Sequence, residues 1–445
     1  MSSKIILSLL TFGVINSYGA DDLSSMFTDG KVSGQIREFS IIRTYSYSDV
    51  AKDDFTRKAN AIGGHLKYET ADFKALSLGA AFYTTNGFLL QSPKDDYRDV
   101  DPTLLGKDND SYTMLGEAYL KFKYENTSFK GGRQKIDTPL AGSDDTRMIP
   151  NLFEAYLLSN SDIDGLNLTL GHITKFAQGT FGRVYNGGIL SATSGYSLVD
   201  SRNQVGDFEN MGTYAVGEST AGVSVVSGTY SGIKNLKVQL WDYYAYDILN
   251  AVYAQADFSW SCLLSSEIKP FVSAQAIKED EVGKRYLGEL SGFYWAGKIG
   301  AKIENFKAYI AYSQTTSNSA TNSAAKNAII TPWGGSPTFT QGMVIRHSTL
   351  AGTKATKTLA SYNFKRFGAD LSTTLYHIDF DMAANNGYTF ADASENGFDI
   401  IYYPSLVDNL QIRFRGNFPR DFHVTQATQE NTSWDEYRFI VNYNF

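Results

Sequence analysis

The chain ends on the stretch Tyr437-Arg438-Phe439-Ile440-Val441-Asn442-Tyr443-Asn444-Phe445, in which every second residue is aromatic or aliphatic. The residues between them are mostly polar. Successive side chains of a β-strand point to opposite faces, so this segment is predicted to be a strand with one apolar and one polar face. An aromatic residue at the end of such a strand is typical of a strand that closes a membrane barrel, because aromatic rings prefer the headgroup region of a bilayer.

The same alternation recurs along the chain, most clearly in residues 61–70, 112–124, 293–303 and 410–418. Strands with one apolar and one polar face also form soluble sandwiches, so alternation alone does not decide the fold. We predict 18 strands, at residues 32–45, 59–70, 73–85, 112–124, 128–136, 153–160, 165–174, 218–230, 235–246, 250–258, 268–277, 292–304, 305–315, 356–363, 369–378, 397–403, 409–417 and 435–445.

The lengths of the links between these strands favour a membrane barrel. Links after even-numbered strands are mostly short, as at residues 125–127 and 231–234, whereas most links after odd-numbered strands are long, as at 175–217 and 316–355. Short periplasmic turns and long extracellular loops are typical of outer-membrane barrels. The fold class we expect is therefore all-β, a transmembrane antiparallel β-barrel of 18 strands. A redundant pair in the strand list would make it 16.

The N-terminus resembles a secretory signal, with Lys4, an apolar run from Ile5 to Ile15 and small residues at Gly19 and Ala20. We expect residues 1–20 to be a signal peptide and 21–445 to be the barrel domain. No other window holds the roughly 18 apolar residues that a membrane helix needs. An exported protein without a membrane-spanning helix is either a soluble secreted protein or an outer-membrane barrel.

Composition excludes several classes of function. The net charge is −7, which argues against nucleic acid as a partner, because phosphate binding needs clustered Lys and Arg. The five histidines form no close metal-binding pair, and no nucleophile elbow, Walker loop or dinucleotide motif is convincing. The sequence therefore predicts neither a metal, a cofactor nor an enzyme. The lone Cys262 permits no intrachain disulfide.

Three further stretches carry a family resemblance. Gly131-Gly132-Arg133-Gln134 leads into the third long loop, which holds Asp145-Thr146-Arg147-Met148-Ile149-Pro150-Asn151-Leu152-Phe153, and Thr331-Pro332-Trp333-Gly334-Gly335 lies in the seventh. These stretches resemble the corresponding segments of the OprD-type outer-membrane porins, the 18-stranded substrate-selective channels of Gram-negative bacteria. With the signal peptide, the strand count and Phe445, the resemblance extends over essentially the whole chain.

The resemblance implies a third loop folded into the lumen to form a constriction. Asp137, Asp144 and Asp145 would place carboxylates on this loop, and Arg147 would either face the pore or clamp the loop to the wall. Independently of the family, the alternating aromatic end of the last strand, with Tyr443 and Phe445, resembles the signal read by the barrel assembly machinery.

Members of this family also carry a ladder of basic residues along one side of the lumen that guides carboxylate groups. Arg413 and Arg415 match it best, because both lie on the polar parity of their strand, and a charge facing lipid near the midplane would cost about 2–4 kcal/mol. The other candidates are Lys298 and Lys302, whose parity is polar, and Arg37 and Arg133, whose parity is mixed.

Two loops look solvent-exposed from composition alone. Residues 316–328 are small and polar, and residues 94–110 are rich in aspartate. The aspartates could bind calcium or bridge lipopolysaccharide through divalent ions, but their spacing does not match an EF-hand, and a solvated extracellular loop is favoured.

The function implied is passive diffusion of small hydrophilic solutes through an outer-membrane porin, with a preference for carboxylate-bearing molecules such as amino acids or organic acids. Three alternatives stay open: a general porin of 16 strands, an adhesin or surface barrel, and a barrel enzyme. The expected partners are the solutes, outer-membrane lipid, lipopolysaccharide and the assembly machinery, and the chain would be a monomer or a homotrimer.

Overall fold

A computed structural model describes residues 19–47, 54–88, 99–184, 187–200, 204–263, 265–320, 322–389, 391–424 and 431–445. Within them, 18 long antiparallel strands pair in sequence order and close on themselves, since β1 pairs with both β2 and β18. The barrel strands are β1 (Lys31–Tyr47), β2 (Phe55–Glu69), β3 (Leu76–Gly87), β4 (Tyr112–Tyr124), β5 (Thr127–Gln134), β6 (Leu152–Asn160), β7 (Leu166–Ala177), β8 (Val223–Tyr230), β9 (Leu236–Ala245), β10 (Leu249–Ser259), β11 (Ile268–Glu281), β12 (Ser291–Ile303), β13 (Phe306–Thr315), β14 (Lys354–Asn363), β15 (Leu371–Asp381), β16 (Ala393–Tyr402), β17 (Leu410–Arg420) and β18 (Asn431–Asn444).

The predicted fold class and strand number are therefore confirmed. Each predicted segment overlaps one observed strand. The barrel is closed at its turn end by two backbone hydrogen bonds, from Gly34 N to Phe445 O at 2.9 Å and from Phe445 N to Gly34 O at 3.1 Å. The C-terminal aromatic residue thus completes the seam between the first and last strands.

Alternation along each strand separates an outer from an inner face. Large apolar side chains on the outer face are exposed, as at Ile36, Phe82 and Ile299, and this pattern fits contact with lipid. Inward-facing side chains are mostly buried, although the lumen of an 18-stranded barrel is wide enough for a channel. Loops that fold into the lumen account for this burial.

Three loops fill much of the lumen, and we name them L3 (residues 135–151), L4 (178–222) and L7 (316–353). L4 contains α2 (Gly188–Thr193) and α3 (Met211–Val216), while α1 (Leu23–Thr28) precedes β1. Short strands also occur at Asp137–Thr138, Ala141–Gly142, Glu209–Asn210 and His423–Val424, and 3-10 turns at Lys107–Asn109, Thr180–Val184, His347–Thr349 and Phe364–Phe367. The inward-folded third loop was predicted, and the structure confirms it.

The prediction that residues 316–328 form an exposed loop is wrong for its second half. Ser323, Ala325, Asn327 and Ala328 are buried. These residues are buried because L7 is hydrogen-bonded to side chains of the barrel wall that are distant in sequence.

The predicted signal peptide lies almost entirely outside the described residues, since residues 1–18 are not among them. None of the helices in the described parts of the chain has the length and apolar character required to cross a bilayer.

Candidate functional site: the constriction between L3, L7 and the barrel wall

L3 is tied to the wall by Arg37 on β1. The Arg37 guanidinium lies 2.7 Å from Asp145 Oδ1 and also donates to the backbone oxygen of Arg147, while its Nε donates to Asn442 at 2.8 Å. Lys135 Nζ approaches the other Asp145 oxygen at 2.9 Å. Burial alone would raise the pKa of Asp145, but Arg37 and Lys135 outweigh it and hold that pKa well below its usual range. Asp145 is therefore an anchoring carboxylate.

Arg37 faces the lumen although it shares parity with apolar Phe39 and Ile41. The inner wall is apolar at this level because Met148 and Ile149 of L3 pack against Phe39 and Ile41. The mixed parity noted in the sequence therefore marks the strip of wall that L3 covers.

A second anchor is built around Glu436 on β18, which is completely buried. Arg43 Nε lies 2.7 Å from Glu436 Oε2, Arg147 Nη2 lies 3.5 Å from Oε1, and Arg438 Nε donates to the same oxygen. Burial, and then the neighbouring charge of Arg438, lowers the pKa of Arg147 to about 9. Of the two roles predicted for Arg147, the structure supports the clamp.

The acidic second loop contributes to this anchor. Asp101 is fully buried, and its Oδ2 lies 3.0 Å from Arg43 Nη1. The expectation of a solvated loop is therefore wrong at Asp101, whereas Asp95 and Asp96 lie outside the described residues. No cluster of three or more potential metal ligands occurs within the described ranges.

The two remaining L3 carboxylates also serve the loop itself. Asp137 accepts hydrogen bonds from the backbone N and the hydroxyl of Ser143, which closes the L3 hairpin. Asp144 Oδ2 lies 3.6 Å from Arg346 Nη1 in L7. Burial raises the pKa of Asp144, and Arg346 opposes this rise.

L3 and L7 meet at a pair of glycines. Gly142 N donates to Trp333 O at 3.1 Å, and Gly334 N donates to Gly195 O of L4 at 2.9 Å. Gly334 has φ +73°, and a Cβ on it would lie 2.3 Å from Gly142 O. Trp333 Nε1 donates to Met211 O at 3.0 Å. Residues 333–335 thus join all three lumen loops, and we call this contact the three-loop junction.

The wall holds L7 through polar side chains. Glu395 on β16 accepts hydrogen bonds from the backbone N of Met343, Val344 and Ile345, the last at 2.6 Å. Gln275 on β11 accepts from Phe339 N at 2.7 Å. These bonds satisfy backbone groups that would otherwise be unpaired in the lumen, and they explain why L7 remains inside.

Between L3, L4, L7 and the wall lies a cavity of about 230 Å³. Of the described residues that line it, four are basic and none is acidic. The lining consists of Thr146, Phe181, Gln341, Gly342, Met343, Arg346, Lys357, Leu359, Tyr376, Arg415 and Arg438. We call this the cationic cavity.

The neighbouring carboxylates are already paired. Asp399 on β16 receives two hydrogen bonds from Arg413 and lies 3.5 Å from Arg415 Nε. Arg415 also reaches the cationic cavity, where its Nη2 contacts Met343 Sδ. Arg413 and Arg415 therefore face the lumen, as their parity predicts.

Arg133 does not belong to this lumen set. Phe129 lies on the same face of β5 as Arg133, and its register partner on β6 is Leu158, which is exposed on the outer surface. Arg133 therefore points outward. Arg133 lies 4.0 Å from Glu154 and over the ring of Phe208. The family motif suggested that Arg133 points into the lumen. The side chain points outward instead, as expected from the strand parity that Arg133 shares with Phe129.

Lys298 and Lys302 face the lumen on β12, five strands around the barrel from Arg415 on β17. Lys298 Nζ lies 3.9 Å from the ring centre of Phe339 in L7. The two lysines therefore belong to a different part of the wall from the cationic cavity.

Four basic residues near the constriction were not among the predicted site residues: Arg43, Arg346, Lys357 and Arg438. Arg438 was visible on the polar parity of the last strand. Arg346 and Lys357 gave no comparable signal. The position of Arg346 depends on the fold of L7. The contact of Lys357 with L7 also depends on that fold, since its Nζ donates to the backbone oxygen of Gln341 at 2.7 Å.

Comparison with known proteins identifies the family. A family model described as "outer membrane porin, OprD family" matches residues 27–445. The chain belongs to the OprD family. As a member, it is an outer-membrane porin, and the predicted family and location are confirmed.

Among curated proteins, this OprD-family chain is similar to Porin D of Pseudomonas aeruginosa, with 22% identity over 209 residues. The match covers 47% of this chain and 41% of the length of Porin D.

The fold of this OprD-family chain is also shared with solved P. aeruginosa structures. OccK9 (OpdG) matches with a TM-score of 0.75 and 20% identity, over 95% of this chain and 99% of the other. OpdK with vanillate matches with a TM-score of 0.72 and 16% identity, over 94% and 99%. OccK2 (OpdF) in complex with glucuronate matches with a TM-score of 0.69 and 16% identity, over 95% and 99%.

Proposed function

We propose that this porin selects small solutes that carry a carboxylate, and that the cationic cavity is where selection occurs. The observation that carries the proposal is the lining of the cavity: among the described residues, Arg346, Lys357, Arg415 and Arg438 contribute to it, and no carboxylate does. A passing solute lies well within one Debye length, about 8–10 Å, of these charges.

The protein's own carboxylates leave this charge only partly balanced. Asp399 is shared between Arg413 and Arg415, and Glu436 is shared among three arginines. A solute carboxylate would supply the missing acceptor, because arginine binds carboxylates through paired, charge-assisted hydrogen bonds.

Two of the similar structures support this substrate class. OpdK was solved with vanillate and OccK2 with glucuronate, and both ligands are carboxylates. The cavity also presents Phe181, Leu359 and Tyr376, so a solute with an apolar body could pack there while its carboxylate faces the arginines.

The remaining assignments fit this role. We infer that residues 1–20 direct export and are removed, and that the assembly machinery inserts the barrel. Lipopolysaccharide is the expected lipid neighbour on the outer leaflet, and the protein acts by diffusion without catalysis, as a monomer or a homotrimer.

The proposal is tested with Arg413→Ala combined with Arg415→Ala. Passage of a carboxylated solute through reconstituted channels should fall several-fold, whereas passage of a neutral sugar of similar size should change little, because only the carboxylate uses the lost charges. Solute-driven swelling of proteoliposomes gives both rates, and the reversal potential in a salt gradient should move toward lower anion preference.

Arg133→Ala is the matched control, since it removes an arginine from the outer face. It should leave both rates and the reversal potential unchanged. Equal losses for the carboxylate and the sugar in the double variant would contradict the proposed selectivity. A folded wild-type barrel without conductance would favour the adhesin alternative.

A further inference from the structure

Three lysines form one row across adjacent strands at the turn end of the lumen. Lys269 on β11 is the register partner of Lys302 on β12, and Lys302 is in turn the partner of Lys307 on β13. Cross-strand partners hold their Cβ atoms about 4.5–5.5 Å apart. The row therefore places the Cβ atoms of three lysines next to one another.

The row lies on the inner face. Lys302 shares parity with Tyr294 and Ala296, which are buried inside the barrel, whereas the intervening Trp295 and Ile299 are exposed on the outer surface. Lys307 Nζ lies 5.4 Å from the ring centre of Phe271 and 6.0 Å from that of Tyr309.

The row also lies at the periplasmic mouth. Each lysine is within two residues of a strand end that leads into a short turn, and the chain termini lie at the same end of the barrel. All three side chains are exposed, so the mouth is open to water here.

These lysines have no carboxylate within ion-pair distance among the described residues. None of the three takes part in an ion pair, although 23 such contacts occur among described residues elsewhere. Two carboxylates lie near the row without forming an ion pair with it: Asp257, whose charge acts on Lys307 and which accepts from Gln255 at 2.6 Å, and Glu304, which lies 3.7 Å from Arg366. Glu267 is exposed in the preceding turn.

Like charges opposite one another destabilise a sheet, and an anion that bridges them relieves this repulsion. A singly charged solute can neutralise one ammonium group at a time, whereas an anion with two or more charges can contact neighbouring lysines at once. We infer that Lys269, Lys302 and Lys307 form a binding site for small multivalent anions, such as di- and tricarboxylates or phosphates, at the periplasmic mouth.

This site is separate from the cationic cavity. Its lysines lie on β11 to β13, whereas Arg415 and Arg438 lie on β17 and β18. The inference does not depend on the proposed carboxylate selectivity of the constriction.

The test uses single channels of known orientation in a planar bilayer, with citrate as the multivalent probe and acetate at equal ionic strength as the monovalent one. Citrate added on the periplasmic side should block the current in a concentration-dependent way, and acetate should not. Citrate from the extracellular side should block less. In the triple variant Lys269→Gln, Lys302→Gln and Lys307→Gln, the half-blocking concentration should rise about tenfold or more.

Two variants serve as controls. Lys365→Gln removes an exposed lysine of a periplasmic turn that pairs with Asp370, and it should leave the citrate block unchanged. The second variant, Arg413→Ala with Arg415→Ala, alters the constriction itself. Citrate should still block it more strongly from the periplasmic side than from the extracellular side, which separates this site from the constriction. If the triple variant does not fold, Lys302→Gln alone removes the middle charge and should shift the block about threefold. Equal block by acetate, equal block from both sides, or a normal citrate block in the lysine variants would overturn the inference.

Discussion

His347 is a buried histidine in a loop that borders the pore. Its Nε2 lies 2.7 Å from Phe422 O, and its ring packs among Phe380, Tyr388 and Phe422. Its neighbour Arg346 lines the cationic cavity. A change in the charge of His347 would therefore act next to the constriction.

The packing of L7 should weaken in acid. Burial lowers the pKa of His347 to about 4, the bond to Phe422 O opposes this, and His423 adds to the lowering. A detached loop would carry a histidine of ordinary pKa, about 6.5. The detached state therefore binds more protons as pH falls from about 6.5, and the packed state loses about 3 kcal/mol of relative stability by about pH 4.

Current fluctuations of single channels would report this change, and they should increase as pH is lowered from about 7 to about 4. His347→Gln should remove most of the pH dependence, because glutamine does not titrate. His377→Gln changes an exposed histidine and should retain it. Fluctuations that persist unchanged in His347→Gln would contradict the role of His347.

At the scale of an element, L7 behaves as a part of the wall. Glu395 and Gln275 hold its backbone, and the three-loop junction holds it against L3 and L4. The weak point of this arrangement is Gly334, where φ is +73° and no room exists for a side chain.

Gly334→Ala should loosen L7. Alanine at positive φ costs about 1 kcal/mol, and its Cβ would in addition meet Gly142 O. We expect faster proteolytic cleavage within L7 and noisier current. Gly297→Ala is the matched control, since a Cβ there meets nothing within 4 Å. Equal protease sensitivity of the two variants would show that the junction does not hold L7.

The contrast between strands and loops explains what the sequence could reveal. The direction of Arg413 and Arg415 follows from a local period of two, so it was predictable. The burial of Ser323 and Asn327 depends on wall residues far along the chain, so their polar composition suggested exposure. At Arg133 the family motif was given weight against strand parity, and parity was the better guide.

At the scale of the whole molecule, closure depends on the first and last strands. Phe445 bonds to Gly34 through both its backbone groups, and its ring lies against Gly34, where a Cβ would meet Phe445 Cζ at 2.6 Å. Both the seam and the predicted assembly signal therefore use the same terminal residue.

Phe445→Ala should lower the yield of folded barrel in the outer membrane several-fold, because the ring at the interface is lost while the backbone bonds are retained. The folded fraction can be measured from the heat-dependent shift in gel mobility. Phe367→Ala, at an exposed aromatic residue in a periplasmic turn, should change the yield little. Equal yields for the two variants would argue against Phe445 as a signal.

The three-loop junction also sets a rule for re-engineering this channel. Trp333, Gly334 and Gly335 touch L3 and L4 through backbone atoms and close packing, so each loop is shaped to the other two. A single loop transplanted from a relative with different specificity would arrive without its matching surfaces. The solute preference of a relative should therefore be transferred to this channel only when L3, L4 and L7 are exchanged together.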